Sequence, residues 1–392
     1  MKDVYAGAYL VLSATAAANG SIGCLFRRPP SHKIPFHNSN GGEISLHIRK
    51  STAFHHKVFT DDQPTHDETT FPLLSRGWTL QERLLAKRVL HFGPLEMIWD
   101  CCCSIDCECR GIKTLAAIQN TSNVNLFTVN AWKREVSKTI VKGQPYSLWR
   151  RLLNTYAALN FTFDSDSLPA LYGLAQAMQG LSLGIYYAGL WTDHLPEGLS
   201  WYCSKASVAR KGRGPYPYQA PTWSWASIRG RVSHYDNFDA YQPRVKILEP
   251  YPKSAVNDFG SVQSSPPKVS GRSISPVLSM PRTEMTDGHL VGIRWLRSSD
   301  YDAAEGPGSW MGFYPDDLAS ATLQEGEEIA VWCLLIGIWT PSRKSDVPIR
   351  PIHYVLVLKA SDCVSGAYER IGLTTGWEQW SLHSQEKDFD IV

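Results

Sequence analysis

Five of the nine cysteines crowd into Cys101-Cys-Cys-Ser-Ile-Asp-Cys-Glu-Cys109. Thiolates with a neighbouring carboxylate such as Asp106 are donor types that hold zinc. The spacing argues against it. A structural zinc site pairs one Cys-x-x-Cys-like knuckle with a second pair further along, and no second knuckle or His-x-x-x-His follows. The stretch therefore reads as a reduced strand end running into a surface loop, with no metal. Thr79-Leu-Gln-Glu82 has the capping-box pattern, in which the Thr and Glu side chains satisfy backbone donors at a helix start. Trp223 and Trp225 flank Ser224 at strand spacing and so share a face, where rings fill a core more often than they form a platform for a sugar or nucleotide. His55-His56 lies in a polar stretch with no acidic, Ser or Cys partner at a recognisable spacing, and reads as a solvated pair. Gly-x-Ser-x-Gly, a phosphate-cradling P-loop, Gly-x-Gly-x-x-Gly after a strand and His-Glu-x-x-His are all missing, so the standard hydrolase, kinase and dehydrogenase readings lack support.

The bulk properties set the frame for these groups. With 392 residues, 43% hydrophobic and 19% charged, the chain can bury a proper core and form two or three domains. A net charge of +2 argues against a dedicated nucleic-acid binder, which carries a clear excess of Lys and Arg. Fourteen Trp require burial or a contact surface, so much of the fold should be built around rings. Clustered cysteines in odd number fit a reducing compartment better than a secreted disulfide framework. Met1 to Ala18 loosely resembles a signal peptide, but Asp3 cancels Lys2, and Tyr5, Gly7, Tyr9 and Ser13 dilute the apolar run. A cytoplasmic location is expected, with no membrane span.

The elements that must position these residues follow from periodicity. Met1, Val4, Tyr5 and Ala8 recur at helical spacing, and Tyr9-Leu-Val-Leu12 suits a buried strand. Glu43 to Arg49 alternates and reads as one strand. The helix opened by Thr79 carries Leu80, Leu84 and Leu85 inward. Arg88 to Phe92 and Met97 to Asp100 predict a hairpin with Gly93-Pro94 in its turn. Helices are expected over Ala131 to Ile140, Ser147 to Leu159, and from Asp166 or Ser167 to Met178, with Pro169 in the first turn of the last. Beyond Gly198 the period becomes two, predicting strands at Trp223 to Ala226, Leu290 to Leu296, Ile329 to Ile338 and Ile352 to Leu358. Tyr251 to Arg282, rich in Ser and Pro, reads as a mobile loop.

Several stretches, taken in order, resemble the heterokaryon-incompatibility (HET) family of filamentous fungi. They are Met1-Lys-Asp-Val-Tyr5 through Leu12-Ser-Ala14 and Gly23, then Phe71-Pro-Leu-Leu-Ser-Arg-Gly-Trp-Thr-Leu-Gln-Glu82 with Leu85 and Phe92. Trp149-Arg-Arg-Leu-Leu-Asn-Thr-Tyr156, Asp166-Ser-Leu-Pro-Ala-Leu-Tyr-Gly-Leu-Ala175, Tyr187-Ala-Gly-Leu-Trp191 and Ala220-Pro-Thr-Trp-Ser-Trp-Ala226 follow. Each pattern is weak alone; the set in this order is specific and spans Met1 to about Arg231. The family's domain opens with a strand carrying Trp-Ile-Asp and Cys-Ile patterns upstream of the helix that ends near Tyr5. No such stretch precedes Met1, so the first part of the domain is expected to be missing, through a clipped start or a decayed paralogue.

The resemblance implies a partial, TIR-like α/β HET domain over 1–112; with the helical connector over 113–198 and the β-rich region over 199–392 that periodicity predicts, the architecture is expected to be α+β. It implies fungal non-self recognition that ends in growth arrest or programmed cell death, with other incompatibility proteins or self-assembly as partners. Some TIR domains hydrolyse NAD with a glutamate on a helix shortly after a Trp. On that likeness Glu82 would be the catalytic acid, Arg76 and Trp78 would flank the nucleotide, and NAD would be substrate rather than resident cofactor. The alternatives are a non-enzymatic adaptor or an inactive truncated paralogue.

Overall fold

The computed structural model describes residues 1–28, 30–37, 39–48, 56, 58–59, 69–112, 132–133, 145–203, 220–228, 232–234, 241–248, 267–275, 277–279, 295–297, 313–316, 328–340, 351–376 and 384–392. The architecture is α+β. The chain divides into two compact units, Met1–Thr162 with Gly173–Met178, and Phe163–Tyr172 with Gln179–Val392.

The first unit contains helix α1 (Lys2–Gly7), strand β1 (Val11–Ser13), a hairpin of β2 (His32–His37) and β3 (Glu43–Ile48), helix α2 (Gly77–Leu85), and strands β4 (Arg88–Phe92), β5 (Met97–Cys101) and β6 (Ile105–Cys107). Its four-stranded sheet runs β1-β4-β5-β6. The β1–β4 pair is parallel, with Val11 opposite Val89 and Leu12 opposite Leu90; β4–β5 and β5–β6 are antiparallel. The piece near the N-terminus and the Arg76–Glu82 stretch thus belong to one unit, with α1 packed on α2.

Three local expectations change. The strand expected as buried Tyr9 to Leu12 is Val11–Ser13 at the sheet edge, with Tyr9 81% and Leu12 63% exposed. Polar Ser13 is the buried side chain there, held by Thr15, whose Oγ1 lies 3.0 Å from Ser13 Oγ. The capping box does not form. Helix α2 starts three residues earlier, with Arg76 at the N-cap and no side-chain cap. Its first N–H groups find a tertiary partner instead: Gly77 N–H donates to Asn160 C=O at 3.0 Å, and Asn160 N–H donates to Ser75 C=O at 2.7 Å. A Cβ at 77 would run into the Phe161 ring, so a larger residue there requires that ring to move. Satisfied by this bridge, the helix needs no Thr79 cap, and Thr79 is buried inside its first turns.

Downstream of α2, the β4–β5 hairpin forms as the alternation predicts, with Gly93 N–H donating to Glu96 C=O at 3.1 Å in its turn. Helix Pro145–Tyr156 buries Leu148, Trp149, Leu152, Leu153 and Tyr156. Helix Pro169–Met178 begins at its proline, where a missing N–H costs nothing. Of the helix expected over 131–140, only Trp132 and Lys133 are described, and both are helical and buried.

The second unit is built on an antiparallel eight-stranded sheet. Trp332–Trp339 lies between Lys268–Ile274 and Ile352–Ala360, and Tyr368–Gly376 and Phe313–Pro315 follow. Its core packs Val331, Cys333, Leu335, Val355, Val357, Ile371 and Phe313. The strands expected at 329–338 and 352–358 are present. Of 290–296, only Trp295–Arg297 falls within the described residues, as a strand. The stretch read as a mobile loop contains a sheet strand, Lys268–Ile274; inward Val269, Gly271 and Ser273 keep a period of two that their small size hides. Residues 251–266 lie outside the described set.

Trp223 to Ala226 is not a strand but a turn leading into the 3-10 helix Trp225–Ser227. Ser224 caps it: its Oγ accepts from Ala226 N–H at 3.1 Å and donates to Ala188 C=O at 2.6 Å. Both tryptophans are buried core rings, Trp223 stacked on Tyr187 and Trp225 donating its indole N–H to Gly189 C=O at 3.2 Å. This leaves neither ring as an open platform.

Candidate functional site

Three polar clusters gather in the first unit, two of them on the inward face of the β4–β5 hairpin. Period-two alternation puts Glu96, Ile98 and Asp100 on one side of β5. Register places His91 opposite Ile98, Val89 opposite Asp100, and Cys107 of β6 on the other flank of Ile98. All six are buried.

The first cluster centres on Asp100. Arg83 of α2 donates Nε to Oδ2 at 2.9 Å, and Lys133 donates Nζ to Oδ1 at 3.0 Å. Burial would raise this carboxyl, yet Arg83, with His91 and Lys133, holds it well below the usual carboxylate range. His91 Nε2 is 3.6 Å from Asp100 Oδ2, an electrostatic contact longer than a hydrogen bond. Burial pushes the imidazole down to about 4, against the pull of Asp100. Thr15 Oγ1 meets its Nδ1 at 2.9 Å. A hydroxyl, an imidazole and a carboxylate in series resemble a nucleophilic triad, but Thr15 and Asp100 are 0% exposed and His91 1%. With no substrate able to reach them, this is a structural lock between α2 and the sheet.

The second cluster holds the residues singled out by sequence. Glu82 sits half-buried on α2, one helical turn beyond Trp78, so the two share a face. Arg76 is exposed at the N-cap, close enough to favour the charged form of Glu82. The fold adds Tyr5 from α1, whose hydroxyl favours the charged form of the Glu82 carboxylate. Burial raises the Glu82 carboxyl, with Tyr5 and Arg76 opposing. Burial and Glu82 together push Tyr5 up to about 12. Tyr5 was not legible as a site residue, because 77 positions separate it from Glu82 and no spacing rule links them.

The third cluster gathers His56, Glu96, Cys107 and Cys109, whose ligating atoms all lie within 4.8 Å of one another. His56 is not the solvated residue its polar neighbours suggest. It is 1% exposed, with Nε2 2.7 Å from Glu96 Oε1. His55 lies outside the described residues. No second ligand pair follows the cysteines in sequence; the fold brings up His56, 51 and 53 positions before Cys107 and Cys109, and Glu96, 11 and 13 positions before them. Cys101, Cys102, Cys103 and Asp106 are not in this group. Burial pushes the Cys107 thiol up to about 11, with neighbouring Glu96 and Cys109 adding to the rise. All nine cysteines are free thiols.

The first unit therefore contains a small mixed sheet with α2, which bears Glu82 and contributes Arg83 to the buried charge lock on Asp100. Residues 1–82 match the heterokaryon incompatibility protein (HET) family, and the match ends at Glu82. The Phe71–Glu82 signature lies inside it; the likenesses at 149–156, 166–175, 187–191 and 220–226 lie beyond it. No curated protein and no solved structure matches the chain. Among the described residues no helix is long and apolar enough to cross a membrane.

Proposed function

We propose that this chain acts in fungal non-self recognition, with the HET segment as an effector whose activation leads to growth arrest or cell death. The observation that carries the reading is the family match over residues 1–82, which covers α1, β1 and the α2 turns bearing Arg76, Trp78 and Glu82. Residues 1–112 form the effector part, 113–198 the connector, and 199–392 the region that regulates it or meets other incompatibility proteins or further copies of the chain. The setting is cytoplasmic, and no nucleic-acid partner is invoked.

A second reading is favoured by one detail. Glu82 shares its helix face with Trp78 and is flanked by Tyr5 and Arg76. A carboxylate beside an aromatic ring and a cation suits NAD: it can bind ribose hydroxyls and stabilise the positive charge that builds as the bond to nicotinamide breaks. The bland role of Glu82 is to tie α1 to α2 through Tyr5.

Inducible expression of the full chain in fungal cells, as wild type and as Glu82→Gln, separates these. Nicotinamide release from NAD is measured on the purified proteins. Growth arrest and nicotinamide release that both vanish in Glu82→Gln support the enzyme. Arrest that persists in Glu82→Gln, without nicotinamide release, supports an adaptor. A wild type that leaves growth untouched contradicts the effector role.

A further inference from the structure

We propose that His56, Glu96, Cys107 and Cys109 form a structural site for one divalent zinc-type ion. The donor set is one imidazole, one carboxylate and two thiols, the borderline-soft mixture that tetrahedral zinc takes and that hard cations such as magnesium refuse. Four-coordinate zinc with bonds of about 2.3 Å to sulfur and 2.0–2.2 Å to nitrogen and oxygen requires donor atoms roughly 3.3–3.8 Å apart. Three measured edges agree: Cys107 Sγ to Cys109 Sγ is 3.4 Å, Cys109 Sγ to His56 Nε2 3.5 Å, and Cys109 Sγ to Glu96 Oε1 3.6 Å. The fourth, His56 Nε2 to Glu96 Oε1 at 2.7 Å, is a hydrogen-bond length. It would have to open by about 0.6 Å to reach the lower end of that range.

The surroundings orient these donors as the outer contacts of a metal site do. Cys109 N–H donates to Glu96 Oε2 at 3.0 Å, which turns Oε1 toward the other ligands. Gly111 N–H points at Cys109 Sγ at 3.3 Å and Ile112 N–H at Cys107 Sγ at 3.5 Å, donors that stabilise thiolate over thiol. Arg110 adopts φ 61°, folding the chain back over the two sulfurs. Gly111 leaves room for His56: a Cβ there would come 3.1 Å from the imidazole Cε1 and 3.3 Å from Cys109 Sγ. Beside the site, Val58, Phe59, Phe71, Ile98 and Ile112 form a closed apolar wall.

With four protein ligands there is no open coordination position, so the ion would be structural and not catalytic. Binding would release the two thiol protons to solvent and leave His56 Nε2 without a proton, as the Nδ1–H tautomer. The ion would clamp the segment carrying His56 to the β5–β6 end of the sheet, joining pieces the chain leaves far apart.

The test uses the full chain purified from zinc-supplied cells without chelator. Metal content is measured by mass spectrometry, and cobalt is added to chelator-stripped protein as an optical probe. We expect one zinc per chain, a thiolate-to-cobalt charge-transfer band, no retention of magnesium, and loss of both zinc and band in Cys107→Ser and His56→Ala. Cys103→Ser, at an exposed cysteine outside the group, should keep both. If either ligand variant fails to fold, the wild-type cobalt spectrum decides by itself, since two thiolates give a band and a surface carboxylate site gives none. Wild type without zinc or band, or zinc lost in Cys103→Ser and kept in Cys107→Ser, would overturn the proposal.

Discussion

The two buried clusters on the hairpin face, centred on Asp100 of β5 and on Glu96 just before that strand, solve the same problem differently. Asp100 is met by a guanidinium and an ammonium at 2.9 and 3.0 Å, so protein charge answers protein charge. Glu96 is met by an imidazole at 2.7 Å and a thiol at 3.6 Å, groups that share with it the capacity to bind a metal. Phe59 stands between them, under Arg83 at 4.9 Å and edge-on to His91 at 5.1 Å, while His56 three residues earlier reaches Glu96. One end of this face is thus locked by fixed charges, and on the proposed reading its other end would be locked by an ion from solution. The difference teaches that burial of a carboxylate in this fold is tolerated only where a cation, its own or a captured one, can sit beside it.

That contrast can be broken most severely at Asp100. Asp100→Ala leaves Arg83 and Lys133 buried without their anion, and should cost about 3–5 kcal/mol in denaturant unfolding, with zinc or without it. A loss under about 1 kcal/mol would mean that the cations find other partners. Next comes Cys107→Ser, whose effect should depend on the ion. At zinc a hundredfold above Kd, wild type gains about 3 kcal/mol that the variant lacks, and the gap should close in chelator.

The pH response sharpens the same comparison. His91 titrates at about 4 when folded against 6.5 when unfolded, so between those values the unfolded chain binds more protons. Its contribution is fully present above pH 6.5 and is lost as pH falls toward 4, about 3 kcal/mol in all. His91→Gln should flatten that slope in chelator-treated protein; an unchanged slope would place the titration elsewhere. Asp100, held low by its cations, yields its share only as pH falls below the ordinary carboxylate range. The smallest effect is expected at Glu82. Glu82→Gln removes the charge but keeps an acceptor for Tyr5, so it should cost under about 1.5 kcal/mol of stability, and a defect in growth arrest would not reflect unfolding.

What the sequence disclosed was local. The hairpin, the helix from Pro169 and the strands near 330 and 355 are periodic and bounded by turn residues, so short windows carry their signal. The HET likeness at Phe71–Glu82 was legible for the same reason, as a contiguous run. Failures came where a distant group overrode a local one. Asn160 caps α2 and displaces Thr79 from that task. Ser224 caps a turn and breaks the strand spacing of Trp223 and Trp225. Small inward residues hide the strand at Lys268–Ile274. The metal-type cluster could not be seen, because Cys107 and Cys109 looked incomplete until the fold delivered His56 and Glu96.

The most direct test of the metal account is X-ray absorption at the zinc edge on the full chain loaded with one equivalent of zinc. The account predicts two sulfur neighbours at about 2.3 Å and two nitrogen or oxygen neighbours at about 2.0–2.2 Å. A shell of oxygen alone, or of four sulfurs drawn from the Cys101–Cys109 run, would contradict it.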